Sequence, residues 1–168
     1  TGLADPTWTP TLSNGSGRAV AAQPSANRVF LGGFFTSANG NSSDAKLVAV
    51  DDATGATVPG FDAGASEEVF DLAATVDKLY IAHGGPGGRA DVRDPVSGTL
   101  LHSHLTDGDV QAVTVSGERV FFGHHGEFVD GTYWPWVFAI DRASDLIDAG
   151  FLPVLDGTAG FGVWAVHD

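Results

Sequence analysis

The sequence predicts an all-β chain: a β-propeller segment of about three four-stranded blades, with single strands of flanking blades at either end. Three observations carry this expectation. A unit of short apolar runs recurs, with Val20, Val69, Val110 and Val163 at separations of 49, 41 and 53 residues. A turn is followed six residues later by a ring four times over: Gly2 to Trp8, Gly55 to Phe61, Gly98 to His104, and Asp145 to Phe151. Finally, no window carries a sustained 3.6-residue apolar stripe, and glycine (23 of 168 residues) or proline interrupts almost every stretch of helix length.

The first unit opens on Arg18-Ala19-Val20-Ala21-Ala22, an alternating run that reads as an inner strand. The turn Gln23-Pro24-Ser25-Ala26-Asn27 leads into a second strand, Arg28 to Thr36. A polar loop, Asn39 to Asp44, precedes the third strand, Lys46-Leu47-Val48-Ala49-Val50, which ends in the turn Asp51-Asp52-Ala53-Thr54-Gly55. A short fourth run reaches Phe61. The second unit repeats the order with Val69 to Ala74, Lys78 to Ala82, and a weakened third run, Asp91-Val92-Arg93, closed by Asp94-Pro95-Val96-Ser97-Gly98. The third has Asp109 to Val115, Arg119 to Gly123, and Trp136 to Ile140, closed by Asp141-Arg142-Ala143-Ser144-Asp145. The blades are placed at 17–61, 66–104 and 108–151, the last strand of a preceding blade at 3–10, and the first strand of a following blade at 161–168. A sandwich or up-and-down barrel is the rival architecture, and the fixed turn-to-ring spacing disfavours it. The ends allow two readings: a segment of a longer propeller, or a chain whose terminal strands pair to close a ring or join a second copy.

The run Phe30-Leu31-Gly32-Gly33-Phe34-Phe35-Thr36, followed by Leu47-Val48-Ala49-Val50-Asp51, Thr54-Gly55 and Val58-Pro59-Gly60-Phe61, resembles the delta-60 type bacterial β-propeller repeat. The second and third units depart from it, with His83-Gly84-Gly85 and Gly123-His124-His125 in place of the Gly-Gly-x-Phe-Thr piece. The resemblance implies a secreted or surface-attached bacterial protein. It implies no catalytic residue, because the shared positions are turn and packing positions.

Eight Lys and Arg against 21 Asp and Glu give a net charge of −13. No basic patch is available to displace counterions from a phosphate backbone, so nucleic acid is excluded as a partner. No apolar run is long enough for a membrane span. Cysteine is absent, which removes thiolate catalysis and Cys-ligated zinc, and there is no Gly-x-Ser-x-Gly elbow.

The candidate site residues are few. His102 and His104, two apart in a strand, face one side and have imidazole-ligand spacing, although His104 stands in the packing slot of Trp8, Phe61 and Phe151. Asp107 and Asp109, with Glu67-Glu68 and Asp156, fall in the links before inner strands and would gather on one rim, where Ca²⁺ is the conceivable ion. No Asp-x-Asp-x-Asp-Gly loop supports it, so no cofactor is expected. Tyr133-Trp134-Pro135-Trp136 supplies rings for a partner or a sugar, with Trp134 the surface candidate and Trp136 packed at the start of a strand. The expected function is a non-catalytic secreted or cell-surface scaffold or protein-interaction module. The alternatives are a carbohydrate-binding module using the 133–136 loop, and part of a hydrolase propeller whose active residues lie elsewhere. Expected partners are a protein or glycan, the rest of its own propeller, or a second copy.

Overall fold

A computed structural model describes residues 3–85, 88–155 and 162–166. The turn at Thr1-Gly2, the carboxylate of Asp156 and both ends of the 161–168 run lie outside the described residues. In chain order the strands are β1 (Leu12–Ser13), β2 (Ser16–Ala22), β3 (Arg28–Phe34), β4 (Ser37–Ala38), β5 (Leu47–Asp51), β6 (Val69–Ala74), β7 (Leu79–His83), β8 (Arg89–Arg93), β9 (Leu100–Leu105), β10 (Val110–Ser116), β11 (Arg119–His124), β12 (Phe128–Val129), β13 (Thr132–Tyr133) and β14 (Val137–Asp141), with one 3₁₀ turn at Ser42–Asp44.

Three antiparallel sheets form the body: β2-β3-β5, β6-β7-β8-β9 and β10-β11-β14. In the first and third sheets the fourth strand is reduced to single bridges, Val50 to Thr57 and Ile140 to Ile147. Asp51 and Asp141 each accept from the backbone three residues on (2.8 Å each) and from the hydroxyl of Thr54 or Ser144. This closes a tight Asx turn directly after the third strand. Asp94 makes the same turn with Ser97 in the second sheet.

The repeat is therefore legible, but its phase needs a correction. Each first strand carries a bulge against its neighbour, at Arg18, Phe70 and Gln111, because the register shifts between Gly17 and Ala19, Val69 and Asp71, and Val110 and Ala112. Aligned on the bulge, Gly17 matches Val69 and Val110, while Val20 matches Leu72 and Val113. The equivalence of Val20 with the other valines is off by three residues. Val163 keeps its place. A Cβ on Gly123 would meet Val163 Cγ1 at 2.7 Å, as one on Gly32 would meet Val69 Cγ1 at 2.4 Å. In both places a glycine on the second strand lets the next unit's chain approach closely. Residues 162–166 lie where a following first strand would, but carry no ladder, and residues 3–10 likewise form no strand.

The first strands β2, β6 and β10 lie beside one another, so the sheets converge on that side and pack face to face. Between the first and second sheets lie Phe30, Leu47, Ala49, Phe61, Val69, Leu72, Leu79 and Ile81. Between the second and third lie Tyr80, Val92, Val110, Val113, Phe122, Phe138 and Ile140. Trp8 and Leu12 pack with Val29, Leu31, Val48 and Val50 on the far side of the first sheet. The Trp8 indole donates to Asp51 O at 3.1 Å.

Candidate functional site

The aromatic segment near residue 133 folds into a two-stranded hairpin, β12–β13, pairing Phe128 with Tyr133 and Val129 with Thr132. Its turn is Asp130-Gly131, with φ of 49° and 75°, the positive-φ pair that a two-residue hairpin needs and that Asp-Gly supplies. Val129 is fully buried and belongs to the seam between the second and third sheets. It plugs the hairpin base into the body.

Trp134 does not serve as a surface ring. It is 9% exposed and packs in the same cluster as Val129. Its carbonyl accepts from His124 Nε2 at 2.7 Å. The Pro135-Trp136 step returns the chain to β14: Trp136 takes φ 65°, the left-handed conformation that Lys46 (φ 67°) takes just before β5. Trp136 is half-buried, and its carbonyl accepts from His124 N at 2.7 Å. The rings offered to solvent are Tyr133 (59% exposed) and Phe128 (42%). They meet edge to face with centroids 5.7 Å apart, a favoured geometry for such a pair.

The polar residues picked out as ligand candidates brace this hairpin. Asp107 Oδ1 accepts from Glu127 N and Phe128 N, both at 2.8 Å. Asp130 Oδ1 accepts from Leu105 N at 2.9 Å, and its Oδ2 lies 2.6 Å from His104 Nδ1. His104 is buried, and its Nε2 lies 2.8 Å from Asp145 O, so both ring nitrogens are taken. The His102 ring lies beside it at 4.6 Å. Asp109 turns away from this group, and its carboxylate accepts from Gly85 N at 2.8 Å, tying the third sheet to the second. Glu67 and Glu68 pair with Arg89 (2.7 Å) and Arg18 (3.3 Å). Among the described residues no three ligating side chains come together. His102, His104, Asp107 and Asp109 thus form no shared ligand set; three of the four are engaged in backbone ties.

Sequence reasoning missed a second polar constellation, in the seam between the first two sheets. Arg89, Asp91 and Arg93 alternate along β8, so all three share the face of Leu79 and Ile81. Asp91 is fully buried and accepts from Arg93 Nη2 at 2.9 Å and Ser103 Oγ at 2.7 Å. Arg93 Nη1 in turn donates to Ala63 O (2.6 Å) and Gly98 O (2.9 Å). His83 Nε2 stands 3.2 Å from Asp91 Oδ2, yet off the line of a hydrogen bond, and neither ring nitrogen finds a partner. Burial alone would raise the Asp91 carboxyl, but His83, Ser103 and Arg89 outweigh it and hold it well below the usual carboxylate range. Asp71 lacks such cations. Burial raises its carboxyl, opposed by bonds from Val113 N and Leu72 N, both 2.9 Å. That bond to Val113 staples β6 to β10. The visible signal was the Arg-x-Asp-x-Arg alternation, which places three charges on one strand face.

No family model matches the chain, and no curated protein matches it. Solved structures do. The computationally designed Ika4 protein matches with a TM-score of 0.66 at 19% identity, over 98% of this chain and 87% of Ika4. The computationally designed Ika8 protein matches at 0.60 and 21% identity, over 90% of this chain and 40% of Ika8. The WD40 domain of Pan2 from Neurospora crassa matches at 0.55 and 12% identity, over 79% of this chain and 38% of that one. The chain thus spans less than half the length of the latter two. At these identities the likeness is one of fold, and WD40 repeats are propeller blades. The chain is all-β, with the architecture of a β-propeller.

Proposed function

We propose that the chain is a non-catalytic interaction scaffold that contacts a protein partner through the Phe128–Tyr133 hairpin. The delta-60 resemblance adds the expectation of a secreted or cell-surface setting in a bacterium. One observation carries the reading: two adjacent solvent-facing rings sit on a two-residue-turn hairpin whose base is plugged by Val129 and braced by Asp107 and Asp130. Rings held rigidly before contact lose little side-chain entropy on binding, which is why such residues dominate interface energetics. The carbohydrate alternative leaned on Trp134, and that ring is inside.

The test is to select peptides from a displayed library of defined sequences against the chain, then titrate them against Phe128→Ala and Tyr133→Ala variants. Each variant is expected to weaken binding about tenfold or more, with unfolding midpoints unchanged. Binding indifferent to both variants would remove the hairpin from the contact. Glycan-array binding that depends on Tyr133, with no peptide selected, would replace the protein partner by a sugar.

A further inference from the structure

The second sheet has the fully paired fourth strand that the first and third lack, so β9 is a sheet edge. The register fixes which of its backbone groups point outward. Thr106 N donates to Gly88 O at 2.8 Å, which makes 88–106 a hydrogen-bonded pair next to the Arg89–Leu105 pair. Such pairs alternate along an antiparallel ladder. His104 and His102 therefore turn their N–H and C=O toward Ala90 and Val92, while Leu105 and Ser103 turn theirs outward. Leu105 shows what this edge accepts. Its N donates to Asp130 Oδ1 at 2.9 Å, and its O accepts from Asp130 N at 2.8 Å. With the antiparallel bridge between Thr106 and Val129, β12 is a short strand added at the end of β9. The turn at Asp130-Gly131 then takes the chain away, and no described residue pairs with Ser103 N or O. A register shift leaves Leu101 as a bulge and bounds the open stretch on its other side.

We propose that this open edge, from Leu101 to Leu105, takes an extended segment of the protein partner as a further strand, laid antiparallel to β9 in line with β12. The proposal rests on the hairpin reading above and names the form of the partner that the hairpin contacts. Backbone pairing with Ser103 holds the segment, and side chains on alternate residues decide which segments fit. By strand alternation Leu105 and Phe128 share one face, opposite Val129, and Tyr133 pairs with Phe128 on that face. Leu105 is 62% exposed and Leu101 50%, so the apolar strip of the hairpin runs on along the edge. Alternate residues of the segment are apolar to lie against it. The net charge of −13 favours basic residues between them. β9 belongs to the middle sheet, and a sheet packs against each face of that sheet. What stays open is its outer edge. An exposed apolar edge of this kind is a template for pairing with another chain.

The probe is a displayed library of short segments with Val, Ile or Phe at alternate positions and Lys or Thr between them. A second library has the same composition in shuffled order. Segments captured by the whole chain are synthesised with a backbone N-methyl group at one residue at a time, which removes that donor and blocks pairing there. The expected result is preferential capture from the alternating library, with a loss of about tenfold or more for methylation at alternate residues only. Hydrogen exchange at the Ser103 amide slows in the complex. Ser103→Pro removes an outward N–H at an edge position, where proline is tolerated, and loses binding by a similar factor. Because Ser103 Oγ also donates to Asp91, Leu101→Lys is the second variant: it alters an exposed side chain, keeps the backbone and repels a basic segment. Circular dichroism checks the fold of both. Capture no better than from the shuffled library overturns the proposal. So do methylation losses without alternation, unchanged exchange at Ser103, or self-association of the chain through this edge with no segment captured. Alternating losses in binding that ignores Phe128→Ala and Tyr133→Ala support the edge and remove the hairpin. Binding that needs both rings but shows no alternation keeps the hairpin and overturns the edge.

Discussion

The two internal seams share a backbone plan and are filled in opposite ways. At matching positions along the third strand, the first sheet has Val48 and Val50, the third has Phe138 and Ile140, and the second has Asp91 and Arg93. The seam between the second and third sheets is therefore apolar, with Phe122 stacked on Phe138 at 5.2 Å. The Tyr80 hydroxyl is buried there without a hydrogen-bond partner, and its ionisation is pushed up first by burial and then by Asp145. The seam between the first and second sheets buries an anion and a cation instead, and satisfies them from Ser103, Ala63 O and Gly98 O. A blade interface thus accepts charge if the hydrogen-bond set closes locally. Closure is incomplete at His83, whose ring nitrogens have no hydrogen-bond partner.

The comparison breaks most sharply at Asp91. Asp91→Ala leaves Arg93 buried without its carboxylate and is expected to cost about 3–5 kcal/mol, the usual penalty for removing one partner of a buried pair. A denaturant midpoint series measures this, and a loss below about 1 kcal/mol would show that solvent reaches the seam.

A smaller effect of opposite sign comes from converting one seam into the other. Replacing Asp91 and Arg93 together by the Phe and Ile of the third sheet removes both charges at once. That exchange is expected to be neutral or to stabilise by about 1–4 kcal/mol, because the desolvation penalty goes with the charges. A large destabilisation would mean that the seam is shaped around the guanidinium and cannot repack.

The smallest effect is a pH dependence in the apolar seam. His124 is lowered from its ordinary value, chiefly by burial, with its bond to Trp134 O opposing. A group depressed in the folded state holds its stabilising contribution above its unfolded value and loses it as pH falls through the folded one. Stability should therefore decline below about pH 6.5. Thermal unfolding midpoints of His124→Gln, followed downward from pH 7, should show a shallower decline than the parent. An unchanged slope would assign the dependence to other groups.

How much was legible can be judged from particular residues. The Asp-x-x-Thr/Ser turns at Asp51, Asp94 and Asp141 were readable because an Asx turn is completed within four residues. The slot holding Phe61 and His104 was readable as packing, and both are buried. Trp134 was misplaced because exposure of a loop ring depends on whether a distant donor holds its backbone and an apolar cluster awaits the ring. Here His124 and the second sheet draw it in. Val20 was misaligned because the first unit has Gly17 where the others have Val69 and Val110, and its valine falls three residues later, at the position of Leu72 and Val113.

The sequence by itself determined the first three strands of each unit and the turns that close them, since alternation and turn chemistry are settled between near neighbours in the chain. Only the tertiary structure decided which face of each strand is inside. Asp91 and Arg93 read only as a weakened third run until β8 is placed against residues some 30 positions away, with Arg93 bonded to Ala63 O. Burial is a property of two surfaces meeting, and a strand pattern describes one of them.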